Sequence, residues 1–137
     1  MKSNLFGNPQ TEWWKLKLVD VHPREQVVEL TGELHAGFFS AVTPMCLPPT
    51  ALESFASELR TVDRTLHGSA TLRNSNEQSD VIWNLTDLPR GHIESSGRYA
   101  INGNGLDFRF RSDQTQLGPL ARWIETLLGK YREVGTA

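Results

Sequence analysis

The sequence predicts an α+β protein: a curved antiparallel sheet of about six or seven strands with two helices, in the order βββαββββα. Three observations carry this. Apolar and polar residues alternate with period two through much of the chain, the pattern of strands with one buried face. Two stretches, Leu52–Leu66 and Leu117–Tyr131, carry apolar residues at helical spacing instead. Finally, residues 106–130, LDFRFRSDQTQLGPLARWIETLLGK, pass from the first period to the second within a few residues, marking the corner of a small core.

At 137 residues the chain suits one domain, placed at 12–132, after a flexible polar lead-in over 1–11 and before a frayed tail over 133–137. The first strand is expected over Trp13–Val21, with Trp14, Leu16 and Leu18 on one face and Lys15 and Lys17 on the other. His22-Pro23-Arg24-Glu25 is a turn, since proline pre-sets one turn dihedral. Val27–Leu34 follows, with Val28, Leu30 and Leu34 inward and an acidic strip, Glu29 and Glu33, outward. After a second turn at His35-Ala36-Gly37, Phe38–Leu47 is apolar on both sides in places and is expected to be a central or covered strand.

Pro48-Pro49 stops that strand, and Thr50 with Glu53 three residues on has the capping-box spacing of a helix start. Leu52, Phe55, Ala56, Leu59, Val62 and Leu66 form its apolar stripe, and Gly68 suits its end. Four strands then follow: Ala70–Arg73, Val81–Thr86, Ile93–Ile101 and Leu106–Arg111. The last two are joined by Asn102-Gly103-Asn104-Gly105, residues that tolerate the positive φ of a tight hairpin. With Gly103-Asn104 as the loop, Ile101 faces Leu106, Tyr99 faces Phe108 and Gly97 faces Phe110, all on the apolar face. The second helix begins near Gly118-Pro119, where proline suits the first helical position. Both helices are expected to cover one face of the sheet.

Composition excludes several function classes. Fourteen basic against 16 acidic residues give a formal charge of −2, which predicts neither a nucleic-acid nor an anionic-membrane partner. No apolar run approaches the roughly 20 residues of a membrane-spanning helix. None near the N-terminus is long enough for a secretion signal, so the expected location is cytoplasmic. Cys46 is the single cysteine, so an internal disulfide is ruled out; its apolar neighbours predict a buried, unreactive thiol. His22, His35, His67 and His92 fall in turns or at strand ends, none with a second histidine at metal-ligand spacing. There is no nucleophile elbow, and the Asn-Gly repeat lies between strands rather than at a helix start. No catalytic residue, cofactor or metal site is therefore expected.

The outward face of the last hairpin is the one candidate site. In the register above, Arg98 lies opposite Arg109, and Arg111 opposite Ser96. Like charges directly opposite repel. Two readings remain open: Glu94, Asp107 or Asp113 and solvent neutralise the cluster, or Arg98, Arg109 and Arg111 receive an acidic patch or small anion of a partner. Trp13 and Trp123 point toward the less apolar faces, so each is either an interface anchor or a cover for the core edge.

The corner Phe108-Arg109-Phe110-Arg111-Ser112-Asp113-Gln114-Thr115-Gln116-Leu117 resembles the bacterial WapI-type immunity proteins and related domains of polymorphic toxin systems. So do Gly91-His92-Ile93 and the helix Leu52–Leu59 with His67-Gly68-Ser69-Ala70 downstream. The resemblance covers roughly residues 25–130 and leaves Trp13-Trp14 outside. It implies a cytoplasmic, non-catalytic protein that binds a cognate toxin domain, and it carries over no binding residue. The Asp113-Gln114-Thr115 element reads as a local hinge, with Asp113 or Thr115 accepting backbone hydrogen bonds ahead of the helix. Two other function classes stand beside this one. One is a small-ligand module or enzyme with a pocket on the curved sheet, its mouth at residues 87–92 and 35–38. The other is a self-associating domain, a homodimer formed through a strand edge or Trp123.

Overall fold

Eight strands form, in the order ββββαββββα, in the computed structural model, which describes residues 3–136. The strands are β1 (Ser3–Gly7), β2 (Glu12–His22), β3 (Val27–Ala36) and β4 (Phe39–Leu47), then β5 (Ser69–Ser75), β6 (Ser79–Leu88), β7 (His92–Ile101) and β8 (Asn104–Asp113). Helix α1 (Pro49–Thr65) follows the first four and α2 (Leu117–Gly135) the second four. Each set of four is an antiparallel meander with its strands side by side in chain order. The expected single curved sheet is thus two sheets, one from each half of the chain.

Alternation places the core between them. Phe6, Trp14, Leu16, Leu30, Leu34 and Met45 point inward from the first sheet, and Leu72, Val81, Trp83, Leu85, Tyr99, Phe108 and Phe110 from the second. The two sheets meet where Trp14 stacks on Trp83, ring centroids 4.3 Å apart. Offset stacking suits the quadrupoles of two indoles and buries large apolar surfaces together. Period-two alternation reports which face a strand buries. It does not report which strand that face packs against, and this is why two sheets read as one.

The lead-in expected over residues 1–11 contains a strand, β1, whose Phe6 pairs with Trp14 and is fully buried. Five residues are too few to display a period. A bulge between Leu18 and Asp20 leaves Val19 exposed and returns Val21 to the core. Strand β4, expected to be central, is the edge of its sheet; Thr43, Met45 and Leu47 are buried, whereas Val42 and Cys46 are exposed. The buried thiol expected at Cys46 is therefore corrected: its side chain lies on the outward parity of an edge strand.

Helix α1 starts without the expected capping box. Pro48 is its N-cap, Pro49 takes the first turn, and no side chain caps it. It ends at Leu66, left-handed at φ 58°, whose N–H donates to the Val62 carbonyl; Leu66 leaves the apolar stripe and is exposed. Helix α2 continues to Gly135, past the tail expected to fray from 133. The helices pack on each other, α1 against β5 and α2 against β1 and β2, rather than both lying on one sheet.

Candidate functional site

The β7–β8 hairpin turns at Asn102-Gly103, not Gly103-Asn104. Both residues take positive φ, 52° and 83°, as a two-residue hairpin loop of the primed kind requires. The pairing therefore shifts by two residues from the expected one: Tyr99 faces Leu106, Gly97 faces Phe108 and Ser95 faces Phe110. A two-residue shift keeps every side chain on its face, so Phe108 and Phe110 remain buried as expected.

What the shift changes is the charge pattern. Arg98 lies opposite Asp107, Arg109 opposite Ser96 and Arg111 opposite Glu94. The like-charge clash disappears. Arg98 Nε approaches Asp107 Oδ1 at 3.8 Å, and Arg109 Nε approaches Glu94 Oε1 at 3.7 Å. Both arginines stay more than half exposed, so these are loose surface pairs with donors to spare.

Arg98 and Arg109 stand over a shallow groove of about 500 Å³ on the outward face of the second sheet. Its floor is Ile82, Asn84, Ser96 and Gly97, and Asp107 joins the arginines at its wall. Gly97 is what allows the groove's tight backbone: a Cβ there would fall 1.8 Å from the Ile82 carbonyl oxygen. The guanidinium of Arg98 lies over Gly105, where a Cβ would come within 2.9 Å of it. Arg111 sits apart, beside Arg90 and His92 in a cleft of about 280 Å³. Among the described residues neither Arg90 nor Arg111 has an ion-pair partner.

Trp123 does not join this face. It is 8% exposed, in the core with Leu120, Ile124 and Leu127 of α2. Because α2 packs against α1 and two strands at once, its buried face is wider than one stripe. Trp13 is half-buried on the outward face of the first sheet, stacked on His35 at 5.7 Å with the Lys15 ammonium 5.6 Å from its ring. Lys15 in turn pairs with Glu33 at 3.4 Å, and Glu29 with His22 at 3.0 Å, so both carboxylates of the acidic strip find partners within the sheet. The hydrogen bond to Glu29 holds the His22 imidazole above its usual pKa.

The hinge reading of the corner agrees with the geometry. Asp113 Oδ1 accepts the Thr115 N–H at 2.8 Å, which holds the Asp113 carboxyl below the usual carboxylate range. Gln116 was not singled out from the sequence. Its amide makes two hydrogen bonds with the Gly7 backbone, accepting from N–H at 3.2 Å and donating to C=O at 2.9 Å. The corner therefore clasps the first strand of the first sheet.

A second exposed feature also escaped the sequence reading. Phe38 and Phe39, at the tip of the β3–β4 hairpin, are 104% and 61% exposed, and Val42, further along β4 on its outward face, is 63% exposed. The signal was present in Gly37-Phe38-Phe39, because a glycine turn sets its neighbours at a tip. The apolar run that continues into β4 masked it. Among the described residues no group of three His, Cys, Asp or Glu is placed to hold a metal ion.

Comparison with known proteins completes the picture. The fold is similar to that in the crystal structures of Trypanosoma bruciei MRP1/MRP2, with TM-score 0.55 and 10% identity over 96% of this chain and 84% of that one. At that identity the likeness concerns the fold alone. No curated protein matches the chain. The model of the immunity protein WapI-like family matches residues 5–132. That span takes in β1 from Leu5 onward and the Trp13-Trp14 segment, which the sequence resemblance had left outside. With seven strands, α1 and all but the last turn of α2 inside the match, the chain belongs to the WapI-like immunity protein family.

Proposed function

We propose that this protein binds a cognate bacterial toxin domain in the cytoplasm and neutralises it by occlusion, without catalysis of its own. Family membership supports the class of function. The observation that carries the choice of surface is the groove on the second sheet, where Arg98 and Arg109 stand more than half exposed and only loosely paired. Guanidinium groups with unused donors suit bidentate capture of partner carboxylates. Their own partners, Asp107 and Glu94, are exchanged for the toxin's acids, a swap that costs little at the surface.

This reading expects a large toxin protein encoded beside this gene, and the test uses its C-terminal domain. Co-expression with the wild-type chain restores growth. Arg98→Glu with Arg109→Glu weakens binding tenfold or more in calorimetry while circular dichroism stays unchanged. Growth that is not restored by the wild-type chain sinks the immunity reading. Restored growth with undiminished affinity of the double variant removes the arginine face from it.

A further inference from the structure

The tip of the β3–β4 hairpin is a convex apolar knob. Phe38 is fully exposed and Phe39 largely so, and no other described side chain forms an aromatic contact with either ring. Phenyl rings bury roughly 150–250 Å² each when covered, so two left in water at one tip represent a large unused hydrophobic contribution. Gly37, at φ 64°, sets the tight turn that projects them.

We infer that Phe38 and Phe39 insert into an apolar cleft of the partner toxin, a cleft with a basic residue at its rim. The inference rests on the toxin-binding reading above. Three observations select this occupant. Of the clefts formed by the described residues, those walled by Arg98, Asp107 and Arg109, by His92, Arg111 and Asp113, and by Arg90 are charged, and the one beside Val62, about 180 Å³, has room for roughly one ring, so none of these receives two phenyl rings of a second copy. Strand addition along the β4 edge is hindered by Pro44, which lacks an N–H to donate. The charge beside the knob is acidic: Glu12 lies across from Ala36, which pairs with Phe39, and its carboxylate has no ion-pair partner among the described residues. An unpaired carboxylate there repels an anionic membrane and suits a cationic rim.

The knob and the arginine groove belong to different sheets, so variants separate them. The probe is the purified toxin domain from the neighbouring gene, titrated into the full chain. Phe38→Ser with Phe39→Ser lowers affinity a hundredfold or more, as central aromatic anchors do. The thermal midpoint changes little, because Phe38 is fully exposed and Phe39 largely so. Glu12→Lys lowers affinity about tenfold through its effect on the rim. Wild-type binding with the serine variant within threefold of it overturns the knob and leaves the toxin reading standing. No wild-type binding overturns both. A dimer seen by light scattering, or binding to phosphatidylglycerol vesicles, that the serine variant abolishes also overturns the inference, by identifying another occupant.

Discussion

The two halves of the chain are built alike and finished differently. Each is a four-strand meander followed by a helix, and the correspondence extends to single residues. Gly32 is the sixth residue of β3 and Gly97 the sixth of β7. In the first sheet Gly32 lies between Leu16 and Thr43; in the second Gly97 lies between Trp83 and Phe108. The gaps they leave are filled from different sources. Trp83 of the second sheet fills the gap at Gly32, where a Cβ would sit 3.1 Å from its ring. At Gly97 the sheet closes on itself, the Ile82 carbonyl occupying the place of a side chain. The hairpin tips differ as much: polar Asn102-Gly103 in one half, Phe38-Phe39 in the other. The first half receives an aromatic from its neighbour and leaves two of its own, Phe38 and Phe39, in water. The second keeps its aromatics inside and shows arginines. The same topology thus serves two surfaces of opposite chemistry.

The sharpest way to break this comparison is to fill both gaps. Gly97→Ala forces backbone against backbone and is expected to cost about 3 kcal/mol or more. Gly32→Ala meets the flexible end of Met45 at 2.7 Å and the ring of Trp83, and is expected to cost about 1–2 kcal/mol. Urea unfolding followed by tryptophan fluorescence ranks them. A Gly32→Ala cost equal to that of Gly97→Ala would mean that both gaps are set by backbone approach, and the contrast would fail.

The first strands offer a smaller test. In the first half, β1 is tied by the Gln116 amide, which reaches across from the corner after β8. In the second, β5 receives an exposed bond, Thr71 N–H to the Glu58 carboxylate at 3.0 Å. Gln116→Ala removes two part-buried hydrogen bonds and should cost about 1–2 kcal/mol. Hydrogen exchange should quicken in β1 and stay unchanged in β7. Glu58→Ala should stay within about 0.5 kcal/mol, since its bond is open to water. Equal effects would show that the corner does not clasp the two halves together.

These contrasts mark what was legible in the residues. Inward faces were readable: Trp14, Trp83, Phe108 and Phe110 are core, as alternation required. The β7–β8 hairpin was readable to within two residues, because a shift of two leaves every face unchanged and only the charges opposite one another choose the register. Recognising that Arg98 faces Asp107 needed turn geometry as well as pattern. Trp14 on Trp83 lay beyond local pattern altogether, since strands far apart in sequence carry no mark of which sheet they join. Phe38, expected in a central or covered strand, and Trp123, left open between interface anchor and cover for the core edge, were both decided by one thing. An apolar residue's exposure depends on what packs against its element, and β4 turned out to be an edge where α2 was enclosed. Of the candidate site, the arginines were found on the expected outward face, while the aromatic tip and the Gln116 clasp required the tertiary arrangement.

The smallest expected effect concerns charge. The second sheet's outward pairs, Arg73 with Asp80, Arg98 with Asp107 and Arg109 with Glu94, join arginine to carboxylate and contain no imidazole. The first sheet holds its far hairpin end through His22 and Glu29, 3.0 Å apart, and this pair does titrate. The hydrogen bond to Glu29 raises the imidazole above its ordinary pKa near 6.5, with Asp20 and Glu25 adding to it. A raised pKa in the folded state means a stabilisation fully present below the unfolded pKa and lost as pH rises through the folded value. From about pH 6.5 upward the β2–β3 end should therefore loosen slightly, while the β5–β6 end is untouched. Imidazole chemical shifts followed by NMR read the His22 midpoint directly, and Glu29→Gln should bring it down toward its ordinary value. A midpoint that ignores Glu29→Gln would place the source of the shift in Asp20 and Glu25, whereas a wild-type midpoint at the ordinary value would leave the two sheets alike in their response to pH.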